Sequence, residues 1–178
     1  MFGGSFDPPH HGHRRVIEEV LKLPEIERVI VVPTWLNPLK NGSFADPERR
    51  YRWCMESFGK IDGVIVSDCE ISMGRAVYTI ESASILSRRY DLGAIVIGSD
   101  NLPSMHRWRE FEKLDERYRW IVASRPGSAG DLSILSDYTV IEPDIDISST
   151  DIRRGGRYEM AIPEIAHEIE RTYKKETN

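Results

Sequence analysis

Residues 3–13 read Gly-Gly-Ser-Phe-Asp-Pro-Pro-His-His-Gly-His, and residues 14–21 continue Arg-Arg-Val-Ile-Glu-Glu-Val-Leu. The first stretch is a glycine-opened loop. In the second, Val16, Ile17, Val20 and Leu21 recur at helical spacing. A loop that feeds a helix in this way suits phosphate groups. Glycines let the backbone pass close to a ligand, prolines stiffen the turn, imidazoles donate to anionic oxygens, and a helix N-terminus adds partial positive charge. Such a loop should spring from a strand. Only Met1 and Phe2 precede Gly3, so that strand is expected to be a stub, as from a misassigned start or a trimmed chain.

Outward from this loop, short β-branched runs recur between turn residues: Val29 to Val32, Val64 to Val66, Ala94 to Ile97, Trp120 to Ala123 and Thr139 to Ile141. They read as buried strands. Helical segments lie between them. Asp46 followed by Pro47 reads as an N-cap and first helical position leading into Arg49 to Phe58, and Thr79 to Tyr90 and Arg107 to Leu114 supply two more. This alternation predicts an α/β fold: a single doubly wound parallel sheet with helices on both faces. Ligands in such sheets sit beyond the carboxyl ends of the strands.

At 178 residues the chain is expected to form one domain, residues 1–178, and no repeat or linker divides it. The Gly- and Ser-containing stretch Pro126 to Asp131 reads as a surface loop. No apolar run approaches a membrane span and no signal peptide is recognisable, so no membrane partner and a cytoplasmic location are expected. Cys54 and Cys69 lack CxxC spacing and read as two reduced thiols. A net charge of −5 argues against a long nucleic acid as partner, since phosphate backbones attract basic faces. A small anionic ligand stays compatible, because a local cluster can be positive on an acidic protein. A homo-oligomer is left open.

His10 and His13, three apart at a helix start, can point at one ligand. Zinc competes for the crowd formed by His10, His11 and His13, but neither HExxH nor a Cys/His quartet is present, and phosphate is preferred. His11 is expected to face away. Ser148 to Asp151 has capping-box form, which alone reads as an ordinary helix start. Ser149, Thr150 and Arg153 also offer hydroxyls and a guanidinium to a triphosphate tail, and the two readings are compatible. Trp35, Asn37 and Lys40, then Gly98, Ser99 and Asp100, then Arg125, follow other strands. Lys40 and Arg125 can neutralise phosphate, and Asp100 can accept from a ribose hydroxyl or hold magnesium. Trp108 and Phe111 read either as core or, for Trp108, as a stacking surface for a heteroaromatic ring. Arg49, Arg50 and Arg52 read as a solvated helix face.

The pair His10-x-Gly-His13 and Ser148-Ser149-Thr150-x-Ile-Arg153 resembles the signature of the HxGH nucleotidyltransferase superfamily. Within it, the blocks GGSFDPPHHGH, VVPTWLNPLK, YTIES, IGSDNLPSMHRWREFEKL, ASRPG and ISSTDIR, running in order from residue 3 to residue 153, resemble the bacterial nicotinate-nucleotide adenylyltransferases. The resemblance implies a Rossmann-like fold and an enzyme of NAD biosynthesis. The reaction implied is adenylyl transfer from ATP, with Mg2+, to the 5′-phosphate of nicotinate mononucleotide, giving deamido-NAD and pyrophosphate. No tightly bound protein metal site is implied.

It further implies His10, His13 and Arg153 as catalytic residues, the two histidines at the α-phosphate, and Ser149, Thr150 and Arg153 at the β- and γ-phosphates. Gly3, Gly4, Ser5, Phe6, Gly98 and Asp100 complete the ATP site. Asn37, Lys40, Tyr78, Thr79, Asp100, Trp108 and Arg125 would take the pyridine nucleotide. There, Tyr78 and Thr79 would offer backbone amides to the nicotinate carboxylate and Trp108 a ring face. Leu39 stands where the family often has histidine, and Val77 where it often has serine.

Two other readings compete, the first within the same superfamily and the second from a different class. Phosphopantetheine adenylyltransferases also open with GSFDP but usually carry Thr-x-Gly-His. A non-catalytic nucleotide-binding module would be expected to lose a histidine or Arg153, and this chain keeps them. Preference between nicotinate and nicotinamide mononucleotide leaves no side-chain signature.

Overall fold

The computed structural model describes residues 1–39, 42–124, 130–144 and 147–174. Six parallel strands, β1 (Phe2–Gly4), β2 (Val29–Pro33), β3 (Val64–Val66), β4 (Ala94–Gly98), β5 (Arg119–Ala123) and β6 (Tyr138–Ile141), form one sheet in the order β3-β2-β1-β4-β5-β6. This is the doubly wound arrangement, whose direction reverses between β1 and β4 and opens a crevice at the carboxyl ends. The short β1 holds the central place. Phe2 pairs with Val31 on one side and Val96 on the other, and the Met1 carbonyl accepts from the Val96 N–H at 2.8 Å.

Side chains alternate across a strand, so each buried run feeds two cores. Val29, Val31, Val96 and Ile121 meet Ile17, Trp53, Phe58 and Ile169 on one face. Ile30, Val32, Ile95, Ile97 and Val122 meet Ala83, Leu86, Leu114 and Trp120 on the other. The first face is covered by α1 (His11–Val20), α2 (Pro47–Phe58), α5 (Ser149–Gly155) and α6 (Ala166–Lys174), the second by α3 (Thr79–Leu86) and α4 (Phe111–Arg117). Among the described residues, no helix is long and apolar enough to cross a membrane.

Asp46 caps α2 by accepting from the Arg49 N–H at 2.7 Å, with Pro47 at the first position. Two helices depart from expectation. The segment Thr79 to Tyr90 stops being α-helical after Leu86, its last fully buried residue; Arg88 and Arg89 are exposed, and Tyr90 packs against the core from the turn that follows. Residues 107–114 are not one helix either. A 3-10 stretch, Ser99–Arg107, runs into extended Trp108, and Glu110 at φ 54° turns the chain left-handed before α4 begins.

Candidate active site

The loop after β1 is bent by Phe6, a non-glycine residue at φ 47°. That conformation costs of order 1–3 kcal/mol and persists only where packing dictates it. Phe6 is fully buried, its ring 4.8 Å from the His13 ring and in edge contact with Phe2 at 5.5 Å. Below the loop lies Arg50, which is also fully buried, contrary to the solvated face expected of it. Its guanidinium donates to the carbonyls of Ala45 at 3.1 Å, Ser5 at 2.6 Å, Thr34 at 2.8 Å and Trp35 at 2.8 Å. One side chain thus joins the β1–α1 loop to the β2–α2 loop. Burial draws its pKa down, and the nearby charge of Asp7 draws it back up. Arg50 shares the α2 face of Trp53, Cys54, Ser57 and Phe58, a three-and-four spacing that marks it as inward-facing.

Asp7, also buried, accepts from the backbone N–H groups of Phe44 at 2.8 Å and Ala45 at 3.1 Å and from the Tyr173 hydroxyl at 2.6 Å. Burial, with Asp7 alongside, pushes the Tyr173 hydroxyl well above its ordinary pKa, so it remains a donor. The Asp7 carbonyl accepts from the Arg153 guanidinium, which also reaches Thr150 Oγ1 at 3.2 Å and lies over the Phe44 ring at 4.6 Å.

His10 caps α1, and its own N–H donates to His13 Nδ1 at 3.2 Å, which brings the two rings to 3.7 Å. Gly12 permits this approach. A Cβ there would lie 2.9 Å from His10 Nδ1 and from Ile147 Cγ2, too close for any side chain. Ile147 leads into α5, where Ser148 and Asp151 form the expected capping box, and Ser149 Oγ donates to the Pro8 carbonyl at 2.9 Å. The two motifs, far apart in sequence, therefore face each other. His11 starts α1 beside them, but among the described residues no three His, Cys, Asp or Glu side chains converge to hold a metal.

A cavity of about 580 Å3, within the usual range for small-molecule sites, opens at the β1/β4 switch point. Gly3, Gly4, Ser5, Phe6, His10, His13, Ser149, Thr150 and Arg153 line it, and so do Asn37, Tyr78, Thr79, Gly98, Asp100 and Trp108. Lys40 and Arg125 lie outside the described residues. Asn37 Oδ1 accepts from the Leu39 N–H at 2.8 Å. Trp108 leans edge-on against buried Trp120 at 6.1 Å and presents its remaining surface to the cavity. The Tyr78 N–H donates to Glu81 Oε1 at 3.2 Å, and Glu81 pairs with Arg75 at 2.6 Å.

Residues not singled out in the sequence also line the cavity: Thr34, Glu70, Asn101, Ser104, Arg107 and Arg109. Arg109 sits over the Tyr78 ring at 5.1 Å. Arg107, Arg109 and Arg153 bring positive charge to a cavity that Asp7, Glu70 and Asp100 also line.

Residues 1–155 match the family model described as cytidylyltransferase-like. A probable nicotinate-nucleotide adenylyltransferase of a Sulfurovum species is 37% identical over 174 residues, spanning 98% of this chain and 93% of its own. One of a Nitratiruptor species is 39% identical over 176 residues, 98% of this chain and 97% of its own. A solved structure of Plasmodium falciparum nicotinic acid mononucleotide adenylyltransferase, complexed with NaAD, superposes with a TM-score of 0.77 at 21% identity, over 97% of this chain and 94% of its own. That last likeness speaks to the fold. From the match over residues 1–155 and the near full-length identities, the chain belongs to the cytidylyltransferase-like family and, within it, to the nicotinate-nucleotide adenylyltransferases.

Proposed function

We propose that the chain, acting as one domain over residues 1–178, transfers the adenylyl group of ATP to the 5′-phosphate of nicotinate mononucleotide. A phosphate oxygen of the mononucleotide attacks the α-phosphorus, the bond to the β-phosphate oxygen breaks, and pyrophosphate leaves with that electron pair. The products are deamido-NAD and pyrophosphate. The observation that carries the reading is that the paired rings of His10 and His13 line one cavity together with Ser149, Thr150 and Arg153 and with Asn37, Tyr78, Thr79 and Trp108.

A phosphate nucleophile is already anionic and needs no strong base, so positioning and charge stabilisation suffice. His10 and His13 would donate to the α-phosphate as charge builds there. Ser149, Thr150 and Arg153 would hold the leaving phosphates, and Lys40 and Arg125 would clamp phosphate on the pyridine-nucleotide side. Gly3, Gly4, Ser5, Phe6 and Gly98 would line the adenylate, Trp108 would stack on the pyridine ring, and Asn37 would donate from its amide. A ring carboxylate at the Tyr78 and Thr79 amides would take the place of Glu81, which has Arg75 as its other partner.

Mg2+ would arrive with the triphosphate and neutralise its charge. Asp100, an exposed carboxylate on the cavity wall, is suited to hold it through water or to accept from a ribose hydroxyl. The test is pyrophosphate release from ATP and Mg2+ with nicotinate mononucleotide, nicotinamide mononucleotide or 4′-phosphopantetheine as sole acceptor. Release with nicotinate mononucleotide is expected; release only with phosphopantetheine overturns the substrate.

A further inference from the structure

Glu70 belongs to the turn between β3 and α3 and lines the cavity, yet it is only 4% exposed. Ser82 Oγ donates to Oε1 at 2.5 Å, while Oε2 meets no donor in good hydrogen-bond geometry among the described residues, although the Trp35 N–H lies close enough to the carboxyl to favour its charge. A buried carboxyl oxygen left in that state costs free energy unless a ligand completes it. Its position narrows the ligand. The Ser82 N–H donates back to the Tyr78 carbonyl at 3.2 Å, so Glu70 is fastened to the first turn of α3, whose Tyr78 and Thr79 border the same cavity. Thr34 Oγ1, a second buried polar atom without a partner among the described residues, belongs to that cavity wall too.

We infer that Glu70 is a specificity-determining residue at the pyridine end, presenting an O–H from Oε2 to the ring carboxylate of the incoming nucleotide. The inference rests on the substrate reading above. Two carboxylates brought together in a desolvated pocket cannot both stay ionised, so one proton is shared between them. The surroundings already favour the neutral acid. Burial, foremost, pushes Glu70 up to about 7, and Glu81 on α3 adds to it. The Ser82 hydroxyl, the Trp35 N–H and Arg50 on α2 oppose the shift. Cys69, the neighbouring residue, is held in its thiol form by burial and contributes no charge. A carboxamide in the same place has no charge with which to hold the proton, so the protonated state discriminates acid from amide.

The test is calorimetric binding of nicotinate and nicotinamide mononucleotide between pH 6 and 8.5. Both ligands carry the same 5′-phosphate, so their affinity ratio cancels its titration and that of the histidines. In the wild type the ratio should favour nicotinate at pH 6 and fall by up to about tenfold per unit above pH 7, with proton uptake specific to the nicotinate form. In folded Glu70→Gln, a neutral donor of similar shape, the ratio should stay flat. A wild-type ratio independent of pH, or a fall that persists in Glu70→Gln, overturns the inference while leaving the reaction untouched. Absence of nicotinate mononucleotide binding at every pH overturns the substrate reading instead, and this role for Glu70 with it.

Discussion

The imidazole rings of His10 and His13 lie 3.7 Å apart, centroid to centroid, with 31° between their planes. Rings held so closely address one ligand group rather than two. His13→Ala should lower turnover at least about a hundredfold through loss of charge stabilisation at the α-phosphate. The lost acceptor for the His10 N–H should cost about 1 kcal/mol of stability. Steady-state kinetics beside a thermal melt check both, and near-normal turnover in a folded variant removes His13 from the chemistry.

Trp108 has one edge on Trp120 and another surface on the cavity. Trp108→Ala should raise the apparent constant for the pyridine nucleotide far more than that for ATP, since only the pyridine ring loses a stacking partner. Equal rises for the two substrates make it a packing residue.

Arg50 satisfies four backbone carbonyls from a fully buried position. Arg50→Met keeps most of the apolar stem and strips the donors. Denaturant unfolding should show a loss of about 3–5 kcal/mol, since several buried acceptors are orphaned together. A loss under about 1 kcal/mol means that water replaces the guanidinium.

Glu70 has an ordinary value of 4.5 and a folded value of about 7. Between those values the folded protein keeps a proton that the unfolded chain releases. Glu70's contribution therefore lowers stability as pH rises through this window, by at most about 1.4 kcal/mol per unit. Other carboxyls run the opposite way. Burial alone would raise Asp115, but hydrogen bonds from Ser136 and Trp120 outweigh it and hold its pKa low, so it adds stability as pH rises. The comparison with Glu70→Gln isolates the slope: unfolding free energies of wild type and variant should diverge from pH 4.5 to 7, and parallel curves refute the shift.

The strands were legible because β-branched runs bounded by turns have few other uses. Val64 to Val66 matches β3, and Trp120 to Ala123 misses only Arg119 of β5. The meeting of the loop before α1 with the start of α5 was legible for a related reason, since glycine at position 12 and hydroxyls at a helix start are demanded by local sterics and capping. Residues that work through distant partners left a weaker trace. Glu70 and Ser82 stand 12 positions apart, one in a turn and the other in a helix, so no single period links them, and their contact exists only after that turn packs on α3. Arg50 was misjudged because charge was weighed above periodicity. The break at Glu110 escaped because a left-handed turn at a glutamate has no signature in composition.

Tyr173 fastens α6 to Asp7 across 166 residues, and Ala161 bridges to the backbone of His10. A chain made from its N-terminus onward produces both histidines early and the lock last. A ribosome-bound chain therefore carries the loop between β1 and α1 through nearly the whole of synthesis without its contact to Tyr173. Packing of this loop is thus completed late, when Ala166–Lys174 emerges, rather than growing strand by strand.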